Sequence, residues 1–216
     1  MDVTWYGHAC FRIKDRTTAI VTDPYHKSIG LTLPPLKANI VTVSHDHPGH
    51  SNTKAVKGNP FIIDGPGEYE ISGVFITGIQ TFHDARAGKD HGKNTVFLFE
   101  IDGLTVCHLG DLGHLPKQSQ VEELGDIDVL LIPVGGVDSL RASQAAEVIS
   151  LLEPRIVIPM HYRLNDLAFK LDPVSKFFKE LGLTSADEQE TLRVSKSSLP
   201  SETQIILLSP KVSSKG

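Results

Sequence analysis

Four apolar stretches of this chain run out into an imidazole or a carboxylate, and no other feature constrains the fold as strongly. Residues 39–43 (NIVTV) lead into SHDHPGH, 74–82 (VFITGIQTF) lead into His83, 104–110 (LTVCHLG) into Asp111, and 155–160 (RIVIPM) into His161. Short apolar runs bounded by turn residues read as strands. Polar groups at the ends of several strands can act together only if those ends share one edge of the fold. The expected architecture is therefore sheet-based, with its chemistry along one rim.

The stretch VSHDHPGHSN, residues 43–52, places three histidines within six positions. In an extended segment, positions i and i+2 point the same way, so His45 and His47 can aim at one point where the strand ends. His50 returns to that point after a Pro-Gly turn. Neutral imidazole is the commonest metal ligand, and a catalytic zinc takes three protein ligands with a position left for water. His83, Asp111 and His161 add the nitrogen and oxygen donors that a two-metal site needs, with one carboxylate able to bridge.

The first third of the chain reads as short strands (ACFRI, TAIVTD, NIVTV), and FIID, EYEI and VFITGIQTF are expected to continue as an antiparallel meander. Residues 84–93 (DARAGKDHGK) are polar, carry two glycines and read as a mobile surface loop. Asp102-Gly103, between NTVFLFEI and LTVCHLG, is a hairpin signal. Beyond residue 115, helices alternate with strands: PKQSQVEEL, DVLLIPV, ASQAAEVISLLE, RIVIPM and DPVSKFFKELG. In the last of these Asp172 can cap, Pro173 suits the first turn, and Val174, Phe177, Phe178 and Leu181 share one face before Gly182. Laying 11–26 over 99–114 without gaps makes Phe, Ile, Thr, Asp and His coincide, pairing Asp23 with Asp111 and His26 with His114. Such a weak duplication implies two similar β halves facing each other.

Length and composition narrow the classes. The 216 residues are expected to form a single domain over 1–216, and 40% apolar with 22% charged residues is ordinary for a globular protein. A net charge of -5 lacks the positive field that draws nucleic acid or an anionic membrane. Cys10 and Cys107 sit in strand-like apolar settings, so core packing in a reducing cytoplasm is expected rather than a disulfide framework. The opening MDVTWYGHACFRIK has no basic and apolar signal pattern, which suits a cytoplasmic protein.

In their order, GHACFRI, TDPY, the histidine cluster, FHDARAG, HLGDLGH, IPVGG and PMHYR resemble the metallo-β-lactamase superfamily. The likeness is to its branch of small metal-dependent hydrolases that includes ascorbate-6-phosphate lactonase, and it covers nearly the whole chain. The resemblance implies an α/β fold, the four-layer αβ/βα sandwich, with metals at one edge of two facing sheets. It implies that His45, His47 and His83 hold one metal, that Asp111 bridges, and that His50 and His161 complete a second. That family writes H-x-H-x-D-H, and Gly49 stands where its aspartate belongs. One tightly held and one labile ion are therefore expected, zinc first, with manganese or iron as alternatives. Asp46 is a substitute ligand only against strand alternation, which sends it away from its neighbours.

Other residues carry weaker expectations. Asp23 can accept a hydrogen bond from a ligand histidine or cap the turn before Pro24. His114 is the candidate proton shuttle, and His108, which alternates away from Asp111, reads as a satisfied core imidazole. Glu68, Tyr162 and Arg163 are candidates for substrate contact, while His26 and His91 read as solvent-exposed. Arg86, Lys89, Lys93, Arg141 and Arg163 hint at an anionic small-molecule substrate. Self-association into a homo-oligomer is compatible with the sequence.

The expected activity is hydrolysis of an ester, lactone or phosphoester by a water that the cation acidifies, with Asp111 and His114 as the catalytic residues. The alternative, motivated by Gly49, is a metal-binding protein with a degenerate second site and little turnover. Diiron redox chemistry on this fold goes with a glutamate at position 47, which is histidine here. A nuclease role fits neither the acidic charge nor a chain too short for the insertion that RNA-cleaving relatives carry. β-Lactam hydrolysis is disfavoured without an export signal.

Overall fold

The computed structural model of the protein describes residues 1–213. Its amino-terminal strands are β1 (Asp2–Trp5), β2 (Phe11–Lys14), β3 (Ala19–Thr22), β4 (Leu36–Lys37), β5 (Ile40–Thr42), β6 (Val56–Lys57) and β7 (Phe61–Ile63). Then come β8 (Gly67–Ile71), β9 (Val74–Phe82), β10 (Lys93–Ile101) and β11 (Leu104–His108). Helices α1 (Gln118–Leu124), α2 (Ala142–Leu152) and α3 (Val174–Glu180) alternate with β12 (Val129–Pro133) and β13 (Ile156–Met160) before β14 (Asp187–Gln189), β15 (Leu192–Arg193) and β16 (Gln204–Leu208). One sheet has the order β15-β1-β2-β3-β5-β7 and the other β14-β16-β13-β12-β11-β10-β9-β8; β4 and β6 form a small third sheet.

The alternation of side chains explains how the large sheets face each other. Ile20 and Ile40 join Phe97, Phe99, Val106 and Leu131 in one apolar cluster, whereas Val21 and Val41 turn to the opposite face, with Tyr25, Ile29, Leu36 and Val56. That outer face is covered by the 3-10 turn Lys27–Ile29 and the β4–β6 pair rather than by an α-helix. Helices α2 and α3 bury Ala145, Val148, Leu152, Phe177 and Phe178 in the same cluster as the strands of the second sheet. The α/β sandwich of facing sheets is the expected fold, with a thin outer layer on its first half.

Local chemistry explains several elements. Ile101 pairs with Leu104 across Asp102 and Gly103, whose φ angles of 56° and 72° are those of a two-residue hairpin turn. β12 and β13 are buried throughout, as parallel strands covered on both faces must be. Phe177 and Phe178 anchor α3, which stops as Gly182 takes φ 69°. The expected cap differs: Pro173 occupies the N-cap, and Asp172 bonds Lys176 Nζ at 2.7 Å instead.

Two expectations are corrected. FIID does not begin an antiparallel meander, because β7 pairs in parallel with β5, and β5 in parallel with β3. Short apolar runs carry no direction, and the excursions between these strands turn the chain back before each one. Only β8 to β11 form the meander. Residues 84–93 are not a loose loop either. The Asp84 carboxylate accepts hydrogen bonds from the backbone N–H groups of Arg86, Gly88, Asp90 and His91 at 2.7–3.1 Å. Partial burial works against its charge, but these donors, His91 first, bring its pKa down to about 2.

Close backbone approach fixes two strand ends. A β-carbon on Gly135 would overlap the carbonyl oxygen of His161, and one on Gly113 would overlap that of His83. Gly65, by contrast, has open space around it. Gly135→Ala is therefore expected to lower stability by about 1–3 kcal/mol, as overpacking does. Gly65→Ala should stay within about 0.5 kcal/mol of the parent protein in urea denaturation. Equal effects would remove the role of backbone approach at His161.

Candidate metal centre

Strand direction delivers the side chains. β9 runs antiparallel to β10 and β10 to β11, while β11, β12 and β13 are mutually parallel, so β9, β11 and β13 all point one way. His83, Asp111 and His161 follow their carboxyl ends and meet at one edge. From the facing sheet, the segment after β5 brings His45, His47 and His50.

All six expected ligands converge. Asp111 Oδ2 lies 3.1 Å from the Nε2 atoms of His50, His83 and His161, and 4.0 Å from that of His45. Three overlapping sets have ligand atoms within 4.8 Å of one another: His45, His83 and Asp111; His45, His47 and His50; and His8, His50 and His161. His47 is the exposed member, and the other five expected ligands are buried or nearly so. Asp46 is exposed and accepts from Ser51 Oγ at 3.1 Å, so it does not join them.

The layer behind the cluster orients it. Asp23 is buried; its Oδ1 accepts from Ser44 N at 2.8 Å, and its Oδ2 accepts from Ser44 Oγ at 2.6 Å and from His50 Nδ1 at 2.8 Å. With its proton used there, Ser44 Oγ can accept from His45 Nδ1 at 3.0 Å. Both imidazoles are thereby held with Nε2 toward Asp111, as the atoms behind a metal's ligands do. Asn94 Oδ1 accepts from the Asp111 N–H at 2.9 Å, while its amide donates to Thr81 Oγ1 and the Leu109 carbonyl. Three non-glycine residues of the cluster region occupy left-handed backbone conformations: His8, Asp23 and His161, with φ of 54°, 41° and 51°. Such strain persists where surrounding contacts overdetermine it, commonly at functional sites.

The charges suit a cation. Burial disfavours the ionised form of Asp111, yet His161 and His50 hold its pKa well below the usual carboxylate range. Burial likewise opposes a proton on His50, but Asp111 and Asp23 prevail and push it up to about 10. Burial, followed by the neighbouring charge of His50, brings His45 down to about 3. Among the described residues nothing hydrogen-bonds to Asp111 Oδ1 or to the Nδ1 atoms of His83 and His161, although all are buried. A buried carboxylate oxygen without a partner is costly in a protein interior, and a bound cation removes that cost. The set of imidazole nitrogens with one carboxylate fits zinc or a similar divalent ion.

A cleft of about 530 Å³ opens over the cluster, walled by Val137, Asp138, Phe169, Lys170 and Leu171, with Asp46 and His91 at its edge. A larger cleft, about 1070 Å³, lies elsewhere beside Asp128, Arg155 and Lys196 and contains none of these imidazoles. Several expectations are corrected by placement. His114 does not reach the cluster: its Nδ1 donates to the Leu115 carbonyl at 2.8 Å and its Nε2 accepts from Phe82 N at 3.3 Å, leaving no free nitrogen for proton transfer. Glu68, Tyr162 and Arg163 do not line the cleft, nor do Arg86, Lys89, Lys93 and Arg141; Lys170 is its one lysine or arginine among the described residues. His91 is exposed as expected, yet it borders the cleft, its ring 5.4 Å from His83 and its Nε2 3.4 Å from Asp138 Oδ1. His108 is the satisfied core imidazole, donating from Nε2 to the Ala9 carbonyl at 2.9 Å.

Ser44 and Asn94 were not legible as site residues. A lone serine or asparagine beside an apolar run carries no pattern, although Asn94, at the start of NTVFLFEI, is a polar residue buried within a strand.

Two sheets meeting over a rim of imidazoles and one carboxylate define the metallo-hydrolase class. Residues 2–161 match the model of the Beta-lactamase superfamily domain. A metal-dependent hydrolase of the UPF0173 group from Pyrobaculum islandicum is 30% identical, with 80% of this chain and 88% of the relative covered. A UPF0173 protein of Pyrococcus furiosus is 30% identical over 84% of this chain and 90% of its own length. The crystal structure of a candidate Zn-dependent hydrolase of the metallo-β-lactamase superfamily from Thermotoga maritima superposes with a TM-score of 0.80 at 42% identity, covering 96% of this chain and 97% of that one. The chain belongs to the metallo-β-lactamase superfamily, in its metal-dependent hydrolase branch.

The proton on His50 makes metal binding pH-dependent. A ligand nitrogen must be bare, and without metal His50 stays charged up to about pH 10. Zinc binding between pH 7 and 9 should therefore release a proton, and apparent affinity should rise about tenfold per pH unit in that window. Calorimetric titration in two buffers of different ionisation enthalpy reads this directly. Binding enthalpies independent of buffer would contradict it.

Proposed function

We propose that this protein hydrolyses a small ester, lactone or phosphoester, acting as one unit over its 216 residues. In this reading His45, His47, His83 and Asp111 hold one divalent cation, with zinc as the first choice, and Asp111, His50 and His161 hold a second. The observation that carries it is Asp111 Oδ2, equidistant at 3.1 Å from three imidazole nitrogens supplied by three separate segments. A bound cation of this kind lowers the pKa of a water and polarises the electrophile.

The chain's own groups do the rest. Ser44 and Asp23 keep His45 and His50 in the tautomer that leaves Nε2 bare. The apolar wall of Phe169, Leu171 and Val137 excludes water from one side of the substrate, and Lys170 can pair with a single negative group there. The cleft volume is that of a small-molecule site. With His114 engaged elsewhere, His91, backed by Asp138, is the imidazole placed to pass a proton to the leaving group.

Tests follow from these roles. Activity on a panel of lactones, esters and phosphoesters should require zinc or manganese and vanish with chelator. Asp111→Asn should lower kcat/KM by more than about 100-fold. His91→Gln should lower kcat by about 100-fold with KM near that of the parent enzyme. Turnover indifferent to chelator would end the reading; stoichiometric metal binding without turnover on any panel member would favour the binding-only alternative.

A further inference from the structure

We propose that a shallow pocket on the outer face of the first sheet, at the far end of its strands from the imidazoles, binds a phosphoryl group through Arg12, Lys14 and Lys37. The pocket has a volume of about 270 Å³, and no carboxylate lines it among the described residues. Such a concentration of positive charge stands out in a chain of net charge -5. Residues 1–63 hold seven lysines and arginines against four acids, and two of those acids, Asp23 and Asp46, belong to the histidine end of the strands.

Strand alternation builds the pocket. Phe11 and Ile13 of β2 face the core between the sheets, so Arg12 and Lys14 point outward. On β3, Ala19 pairs with Lys14, and its small side chain leaves space beside the lysine. No α-helix covers this face; the β4–β6 pair does, and β4 brings Lys37 to the pocket. Lys37 stands directly opposite Lys57 on β6, a like-charge pairing that costs stability and that a bound anion would offset. A β-carbon on Gly58 would lie 2.8 Å from the Ala38 carbonyl oxygen and 3.0 Å from Lys37 Cγ, so glycine there leaves the lysine stem its place. Ala19 and Asn39 mark the starts of β3 and β5, whose other ends lead to Asp23 and His45.

The donors of the pocket are free. Arg12, Lys14 and Lys37 form no ion pair among the described residues, whereas Arg86, Lys176, Lys196 and Lys211 do so elsewhere. Arg12 Nε is buried and has no hydrogen-bond partner among the described residues, a costly state that an acceptor in the pocket relieves. Tyr6 flanks it: burial pushes the Tyr6 hydroxyl pKa up, and the charge of Arg12 opposes that push. Asn39 Oδ1 accepts from Ala19 N at 2.9 Å, which leaves its amide N–H groups to an outside acceptor. The nearby acids do not compete. Asp15 accepts from Thr17 N, Thr17 Oγ1 and Thr18 N at 2.6–3.1 Å, and Asp2, opposite Lys14 on β1, makes no ion pair with it.

Three cationic side chains and an amide therefore surround a small volume with donors. A phosphoryl group has acceptor oxygens on several sides and up to two negative charges, whereas a carboxylate offers two oxygens and one charge. The pocket has room for that group and a few attached atoms, so the ligand is free phosphate or a small phosphate monoester.

The test follows the Asn39 side-chain amide and the Gly58 N–H by heteronuclear NMR while inorganic phosphate, glycerol phosphate or chloride is added to the metal-loaded protein at constant ionic strength. Phosphate should shift both signals to saturation in the parent protein and equally in Asp111→Asn, which separates this pocket from the metal centre. The double variant Lys14→Gln with Lys37→Gln should bind more than about 10-fold more weakly. Both lysines are exposed, so their loss leaves the core intact. Tighter binding of glycerol phosphate assigns the pocket to a monoester, and tighter binding of inorganic phosphate assigns it to the free ion. Phosphate should also raise the Tm of the parent protein more than that of the double variant. Unmoved Asn39 and Gly58 signals at millimolar phosphate, parental affinity in the double variant, or an equal response to chloride would overturn the proposal.

Discussion

One buried carboxylate organises this molecule. Asp111 is 3% exposed and faces the nitrogens of His45, His50, His83 and His161, which come from both sheets. A buried charge is tolerated only where it is paired, so every strand end that carries a partner must stop at the same place. The two sheets, the common direction of β9, β11 and β13, and the backbone contacts at Gly113 and Gly135 all serve that requirement. The apolar core supplies the stability, and Asp111 sets the geometry at its rim.

Around that centre, order is passed outward through hydrogen bonds rather than packing. Asp23 fixes Ser44 and His50, Ser44 fixes His45, and Asn94 fixes the backbone of Asp111. The suspected duplication acquires a physical meaning here. Asp23 and Asp111 follow equivalent hairpin strands of the two sheets, but one is behind the ligands and the other among them. Their companions diverge too: His26 accepts from Ser28 N on the surface, and His114 is engaged by backbone.

Much was legible locally. The i, i+2 spacing of His45 and His47, the strand-ending positions of His83, Asp111 and His161, the Asp102-Gly103 hairpin and the apolar face of α3 all follow from periodicity and turn chemistry, which act over a few residues. What only the tertiary structure decided involves contacts across the chain. Strand direction at β7, the capture of the 84–93 loop by Asp84, the exclusion of His114, the placing of His91 at the cleft and the meeting of His8 with Gly49 have no local signature. Neighbouring residues specify which elements form and which face is apolar. Which imidazole finally stands beside which glycine, about forty positions away, depends on how two sheets pack, and that is set by the whole buried surface at once.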